Sequence, residues 1–170
     1  MDASIFNWDR DQLMAVLFRE TDRALRMNTP LALMLMSVTE CCAEQVAERT
    51  GRLLRSYDFL GRAGANELLL ILPGCAAESA VLLAERIELD IRGTEFEAHG
   101  SRVSLSACFG IAVSAGRSPL VVLREAEVAL QRAREGGGAA IQCFGQAEEL
   151  LEGEVREQAA VGGEPNRVAF

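Results

Sequence analysis

Residues 55–74 constrain the fold more strongly than any other stretch of the sequence. Five consecutive large apolar residues at 68–72 are closed by Pro73 and Gly74, and a small, turn-prone stretch at 62–66 precedes them. An unbroken apolar run of this length between turn signals is typical of a strand that is buried on both faces. The segment therefore predicts a β-hairpin whose second strand lies inside a sheet.

The rest of the chain alternates amphipathic and continuously apolar segments. Apolar positions spaced three and four residues apart predict helices over residues 9–27, 43–55, 76–91 and 119–135. Continuous apolar runs predict further strands over residues 31–38, 94–98, 103–113 and 140–144. This order of elements predicts an α/β fold: one mixed, mainly antiparallel central sheet of about five strands, flanked by helices and joined by right-handed crossovers.

The chain is long enough for one domain and changes composition near its end. It has 170 residues, and we expect residues 1–144 to form a single domain with its own core. Residues 146–158 are polar and rich in glutamate, whereas residues 159–170 contain Gly-Gly and Pro without periodicity. We therefore expect residues 145–170 to form a polar helical extension and a flexible tail.

Charge and cysteine content exclude several classes of function. The net charge is −8 and the pI is near 4.8, which argues against binding to DNA, RNA or an anionic membrane. The five cysteines, two of them adjacent at Cys41 and Cys42, have no spacing typical of a zinc site or a redox pair, so we expect no metal or other cofactor. Since no signal peptide and no membrane-length apolar run is present, the sequence predicts a cytoplasmic protein with reduced thiols and no membrane insertion.

Four segments carry a family resemblance through their order and spacing. They read, in chain order, RAGANELLLILPG, AESAVLLAERI, VSLSACFGIAV and EAEVALQRAREGGGAAIQCF. They resemble the signature hairpin, the following helix, a strand ending in Ser-x-Gly-Ile-Ala, and the late helix and strand of the GGDEF family, the diguanylate cyclase domain of bacterial second-messenger signalling. The resemblance covers roughly residues 9–144 and implies the nucleotidyl cyclase-like fold of that family.

The resemblance also implies a metal site, from which this sequence departs. The signature positions read Gly64, Ala65, Asn66, Glu67 and Leu68. The first and fourth of these match the family. Ala65 replaces the family's second glycine, however, and the uncharged Asn66 replaces a carboxylate that would hold a divalent metal ion. The signature is therefore degenerate.

The rest of the family's nucleotide site is altered as well. Residues 37–39 read Ser-Val-Thr where the family has an aspartate metal ligand, and the loop that grips guanine and phosphates in the family is missing after Thr39. In the late motif, Arg134 replaces a lysine, and residues 138–139 replace Arg-Asn. Because phosphoryl transfer depends almost wholly on metal ions and positioned charge, we expect no cyclase activity.

A second site of the family has its counterpart here. Family members often carry an Arg-x-x-Asp motif shortly before the signature, as an inhibitory site for cyclic di-GMP, and Arg55 and Asp58 reproduce its spacing. An arginine can donate two hydrogen bonds to guanine O6 and N7, and a carboxylate can accept from N1–H and the exocyclic amine. A second arginine often completes the site; Arg86 falls at the matching place, and Arg62 is near enough in sequence to add charge.

Each of these residues also has a purely structural explanation. Arg55 in a last helical turn favours the helix dipole, Asp58 favours a turn, and an ion pair at this spacing contributes little. Arg86 fits an ordinary solvated arginine on an amphipathic helix. Tyr57 fits either purine stacking or partly buried packing, with packing the simpler explanation, and His99 fits a structural residue in a turn.

Three hypotheses follow. The first is a catalytically inactive domain that binds cyclic di-GMP through Arg55 and Asp58, with Arg86 contributing from the same subunit or a second one. The second is an interaction or dimerisation domain without nucleotide binding, in which residues 148–157 begin a helix that couples to a protein partner in a signalling pathway. The third, GTP binding without turnover, is disfavoured by the altered metal ligands and the missing loop.

Overall fold

The computed structural model describes residues 8–136 and 140–145. The elements in these residues are, in chain order, α1 (Arg10–Met27), β1 (Leu31–Ser37), α2 (Ala43–Leu53), β2 (Phe59–Gly64), β3 (Glu67–Pro73), α3 (Ala77–Arg92), β4 (Glu95–Ala98), β5 (Ser101–Ser104), β6 (Phe109–Ser114), α4 (Pro119–Glu135) and β7 (Ile141–Cys143). A 3₁₀ turn, Glu40–Cys42, leads into α2. The predicted helices, and the predicted strands at 31–38, 68–72, 94–98 and 140–144, are confirmed to within two residues at each end, whereas β2 runs three residues into the stretch 62–66 that was expected to be turn. The predicted extension and tail, residues 146–170, lie outside the described residues.

Five of the strands form one mixed sheet in the order β2-β3-β1-β6-β7. The pairs β2–β3, β3–β1 and β1–β6 are antiparallel, whereas β6 and β7 are parallel. The predicted fold class and the predicted hairpin are therefore confirmed. Strand β3 lies between β2 and β1, and its apolar residues 68–72 are all buried, as expected for an interior strand.

The helices cover both faces of this sheet because β1 is apolar on both sides. Leu31, Leu33 and Leu35 face a core shared with α1 and α4. The alternate residues of β1 face a second core, which contains side chains of α2 and α3 and Phe96 of β4. Among the described residues, no helix combines the length and the apolar character that crossing a bilayer requires.

One predicted strand is wrong. Residues 103–113 form two strands: β5 pairs only with β4 in a separate hairpin, and β6 lies beside β1 in the main sheet. The turn of the small hairpin is at His99 and Gly100, as expected, and both have positive φ. The apolar pattern hides the break because the connection still carries a buried residue, Ala107, whose N–H donates to the buried Glu88 carboxylate at 3.1 Å.

Helix α4 packs unusually close to β6 at Gly110. A Cβ atom built on Gly110 would overlap the backbone of Ala126 and Leu130 in α4. Alanine at 126, 129 and 133 keeps the facing side of the helix small, and all three are buried. This close approach fixes the position of α4 relative to the central strands, and hence the position of Arg134 near its end.

Helices α2 and α3 are joined by a bidentate ion pair. Arg49 Nε and Nη2 donate to the two carboxylate oxygens of Asp90 at 2.9 and 2.8 Å. These hydrogen bonds lower the pKa of Asp90 below its ordinary value. Just beyond this same end of α3, the side chain of Gln45, one turn before Arg49, pairs with the backbone of Glu97 in β4. Moving forward along α2 therefore means moving backward along α3, so the two helices run antiparallel.

The depressed pKa of Asp90 predicts an acid-sensitive contribution to stability. A carboxylate whose folded pKa is lowered stabilises the fold above its unfolded pKa, and this contribution disappears as the pH falls through the folded pKa. We expect the melting temperature of the wild type to fall more than that of Asp90→Asn as the pH is lowered from about 6 to about 3. Asp22→Asn, in an exposed pair with Arg26, is the control. Parallel pH curves for wild type and Asp90→Asn would contradict the prediction.

Candidate functional site

The mouth of the β2–β3 hairpin holds a closed arginine–aspartate pair. Asp58 Oδ2 accepts hydrogen bonds from Arg55 N at 2.8 Å and Nε at 3.1 Å, and Oδ1 accepts from Nη2 at 2.9 Å. The Asp58 side chain is 1% exposed, whereas that of Arg55 is 42% exposed. The three hydrogen bonds to the Asp58 carboxylate thus all come from Arg55, and they orient a guanidinium that reaches the surface.

The outer edge of the Arg55 guanidinium contacts neutral oxygens. Nη1 donates to the Tyr57 hydroxyl at 2.8 Å, and Nη2 donates to the Pro73 carbonyl at 3.1 Å. The guanidinium carbon lies 4.4 Å from the centre of the Tyr57 ring. The hydrogen bond to Asp58 raises the pKa of Arg55, so the group stays charged. Tyr57 is 53% exposed, so the expectation that it packs partly buried is wrong.

The other two predicted ligand-binding arginines lie in different places. Arg86 is exposed on α3, one turn before Asp90. Arg62 lies four residues beyond Asp58, about 13 Å along β2 at the usual strand rise, and donates to the Ala65 carbonyl at 3.2 Å. Arg62 therefore lies towards the hairpin turn and away from the Arg55–Asp58 pair, whereas Arg86 stays a predicted contact on a separate helix.

The signature-like turn lies at the opposite end of β2, beside the end of β1. Gly64 ends β2, Glu67 begins β3, and Ala65 and Asn66 form the exposed turn between them. The Val38 N–H donates to the Asn66 carbonyl at 2.8 Å. The two places at which the resemblance puts metal ligands are therefore neighbours in space.

The residues at these places do not fit a divalent cation. Ser37 Oγ accepts a hydrogen bond from Cys108 N at 3.0 Å, and Asn66 carries no charge. A nearby carboxylate, that of Glu67, pairs with Arg134 Nη2 at 3.0 Å. Among the described residues, no group of three His, Cys, Asp or Glu side chains is placed to hold a metal ion. A hydroxyl, an amide and a neutralised carboxylate are poor substitutes for the oxyanions that Mg²⁺ prefers.

The sheet order and the hairpin beside the end of β1 define a nucleotidyl cyclase-like domain. Comparison with known proteins gives the family to which this domain belongs. Residues 36–140 match the family model described as "Diguanylate cyclase, GGDEF domain". The chain therefore belongs to the GGDEF family.

Two curated relatives and one solved structure illustrate the relationship. The response regulator PleD of Caulobacter vibrioides is 30% identical over 101 residues, covering 57% of this chain and 22% of PleD. The diguanylate cyclase DgcP of Pseudomonas aeruginosa is 30% identical over 129 residues, covering 75% of this chain and 18% of DgcP. The GGDEF domain of DgcB from Caulobacter crescentus, solved in complex with c-di-GMP, superposes with a TM-score of 0.74 over 86% of this chain and 96% of that domain, at 20% identity. The chain thus spans about a fifth of the length of the two curated relatives. The match to the DgcB domain shows a likeness of fold.

Sequence reasoning missed the groups that complete the surroundings of Arg55. The Tyr57 hydroxyl and the Pro73 carbonyl accept from its outer edge. The hairpin register, in which Phe59 is opposite Ile71, places Tyr57 opposite Pro73 when it is extended by two residues. The available signal was therefore the two-residue turn at Ala65 and Asn66, which gives this register only to within one residue because the pairing shifts between Arg62 and Gly64. No such local signal exists for the pair between Glu67 and Arg134, which are 67 residues apart.

Proposed function

We propose that this chain is a cytoplasmic GGDEF-family domain that does not synthesise cyclic di-GMP and instead binds it at the Arg55–Asp58 pair. The observation that carries the proposal is the guanidinium of Arg55, which buried Asp58 holds along one edge while the other edge reaches the surface. The poor fit of Ser37 and Asn66 to a metal ion supports the catalytic half of the proposal.

Binding requires only an exchange of acceptors on Arg55. Its Nε and Nη2 remain on Asp58, while guanine O6 and N7 replace the Tyr57 hydroxyl on Nη1 and the Pro73 carbonyl on Nη2. Two parallel hydrogen bonds from arginine to these guanine atoms are a recurrent and specific contact. Asp58 acts here as a positioning residue, because its carboxylate is buried and already accepts three hydrogen bonds from Arg55. Arg86 is proposed to contact a phosphate of the same ligand.

Calorimetric titration with cyclic di-GMP tests this function. The wild type should bind with the same affinity in Mg²⁺ and in EDTA, since no metal-binding group takes part. Arg55→Ala should bind much more weakly. An absence of binding by the wild type would reject the receptor function, and binding that requires Mg²⁺ would reject the proposed site.

The altered metal positions predict that the domain does not turn over GTP. No cyclic di-GMP should form when GTP and Mg²⁺ are supplied, as measured by chromatography of the nucleotides. Asn66→Asp should not restore activity, because the Ser37 hydroxyl and the Glu67–Arg134 pair remain in place. Product formation by the wild type would show that the metal chemistry has been misjudged.

A second candidate function is an interaction or dimerisation domain without a nucleotide ligand. Leu82 and Leu89 on α3 are 60% and 69% exposed and lie seven residues apart, on the same face as Arg86. An apolar pair at helical spacing suits contact with a second helix. A molar mass that rises with concentration in light scattering, together with no thermal shift on adding nucleotides, would favour this function over the receptor.

A further inference from the structure

Two adjacent cysteines converge at the 3₁₀ turn before α2. The sulfur atoms of Cys41 and Cys42 are 3.8 Å apart. Neighbouring residues of a helix do not normally face each other, so this approach is a property of the turn Glu40–Cys42 and of its junction with α2. Both thiols are free.

The two thiols differ in exposure: one is accessible to solvent, and the other is held in place by the core. Cys41 is exposed, whereas Cys42 is fully buried. The Cys42 sulfur lies 3.8 Å from the Glu97 carbonyl of β4, and it belongs to the core beneath α2 and α3. A reagent can therefore bond first to Cys41 and then to a second sulfur that is already close by.

We propose that Cys41 and Cys42 form a dithiol site that captures trivalent arsenicals. An organoarsenic oxide, R–As=O, condenses with the two thiols. Two As–S bonds form, the arsenic–oxygen bond is lost, and both thiol protons leave with the oxygen as water. Arsenic remains trivalent throughout, so the step needs no oxidant or reductant. This inference is independent of the proposed nucleotide site.

The surroundings of the pair favour a neutral arsenical over a divalent cation. Burial, followed by the contact with Cys41, raises the pKa of Cys42, so Cys42 is protonated at neutral pH. A cation would have to displace the thiol protons and place thiolate charge on the buried Cys42 sulfur, which opposes metal binding. Condensation with an arsenical releases water and creates no charge. It also joins both sulfurs in one ring, so the second bond forms intramolecularly.

Intact-protein mass spectrometry with phenylarsine oxide tests the site. The folded wild type should gain one phenylarsine group, with loss of one water, and ethanedithiol should reverse the reaction. Cys41→Ser removes an exposed thiol without disturbing the core, and it should weaken retention about a hundredfold, as expected when one arm of a two-point attachment is lost. Cys108→Ala, which removes a thiol elsewhere and keeps the pair, should behave as the wild type.

The competing outcomes are distinct. Failure of the wild type to retain the group, or equal retention by Cys41→Ser, would overturn the proposal. Cys42→Ala should also lose retention, and circular dichroism establishes whether it is folded. If it is not folded, the comparison between Cys41→Ser and Cys108→Ala decides. A cyclic di-GMP titration of Cys41→Ser separates this site from the nucleotide site, since affinity there should be unchanged.

Discussion

Gly110→Ala is expected to lower the free energy of unfolding by about 3 kcal/mol or more, at the upper end of the overpacking range. The new methyl group would meet the backbone of α4 at Ala126 and Leu130 rather than a flexible side chain. Helix α4 would have to move away from β6 as a unit, because neither backbone atom can rotate out of the way. For a domain of this size the melting temperature should fall by about 6–12 °C. Thermal unfolding followed by circular dichroism measures the change.

The matched control is Gly64→Ala. Gly64 lies at the end of β2, its φ is not positive, and a Cβ atom there would meet no atom within 4 Å. Its stability should change by less than about 0.5 kcal/mol, as for an ordinary surface substitution. If Gly110→Ala melts at the same temperature as Gly64→Ala, the close contact between β6 and α4 is not present in solution.

The second large effect concerns binding rather than stability. Arg55→Ala should weaken cyclic di-GMP binding by about 5- to 150-fold, because a bidentate arginine–guanine pair is worth about 1–3 kcal/mol. Arg55→Lys keeps a positive charge but loses the planar fork, so it should recover little of the lost affinity. Isothermal titration calorimetry measures both variants.

Arg52→Ala provides the matched control for Arg55→Ala. Arg52 lies in the last turn of α2, is exposed, and pairs with Glu48 in the same helix. Its removal lowers the positive charge of the same region by the same amount, but the hairpin mouth keeps its guanidinium. Equal losses in the two variants would mean that charge alone attracts the ligand. Unchanged binding in Arg55→Ala would place the ligand elsewhere.

Most of the fold was predictable because its elements are defined by local patterns. The helices begin and end where turns and apolar spacing place them, and α1 also begins with a capping box formed by Asp9 and Gln12. The error at residues 103–113 arose because Val103, Leu105 and Ala107 alternate with serines and lead directly into the apolar β6, so the pattern looks like one continuous strand. The buried carboxylate of Glu88, which accepts from the Ala107 N–H, belongs to a helix earlier in the chain, and no pattern near residue 107 indicates it.

The candidate site likewise has some features that the sequence shows and others that only the fold shows. The spacing of Arg55 and Asp58, and the loss of acidic residues at Ser37 and Asn66, are visible in the sequence because each depends only on residue type and position. The sequence could not indicate that the carboxylate of Asp58 is buried, nor that Arg62 points towards the hairpin turn, because these depend on how the hairpin packs.

The sequence by itself therefore determined the family, the five-stranded sheet and the identity of the residues at each site. Only the tertiary structure decided which of these residues are exposed and which are already paired with other residues. It buries Asp58 behind Arg55 and joins Glu67 to Arg134 across 67 residues. The physical reason is that burial and ion pairing are set by contacts between distant segments, which local patterns of residues do not encode.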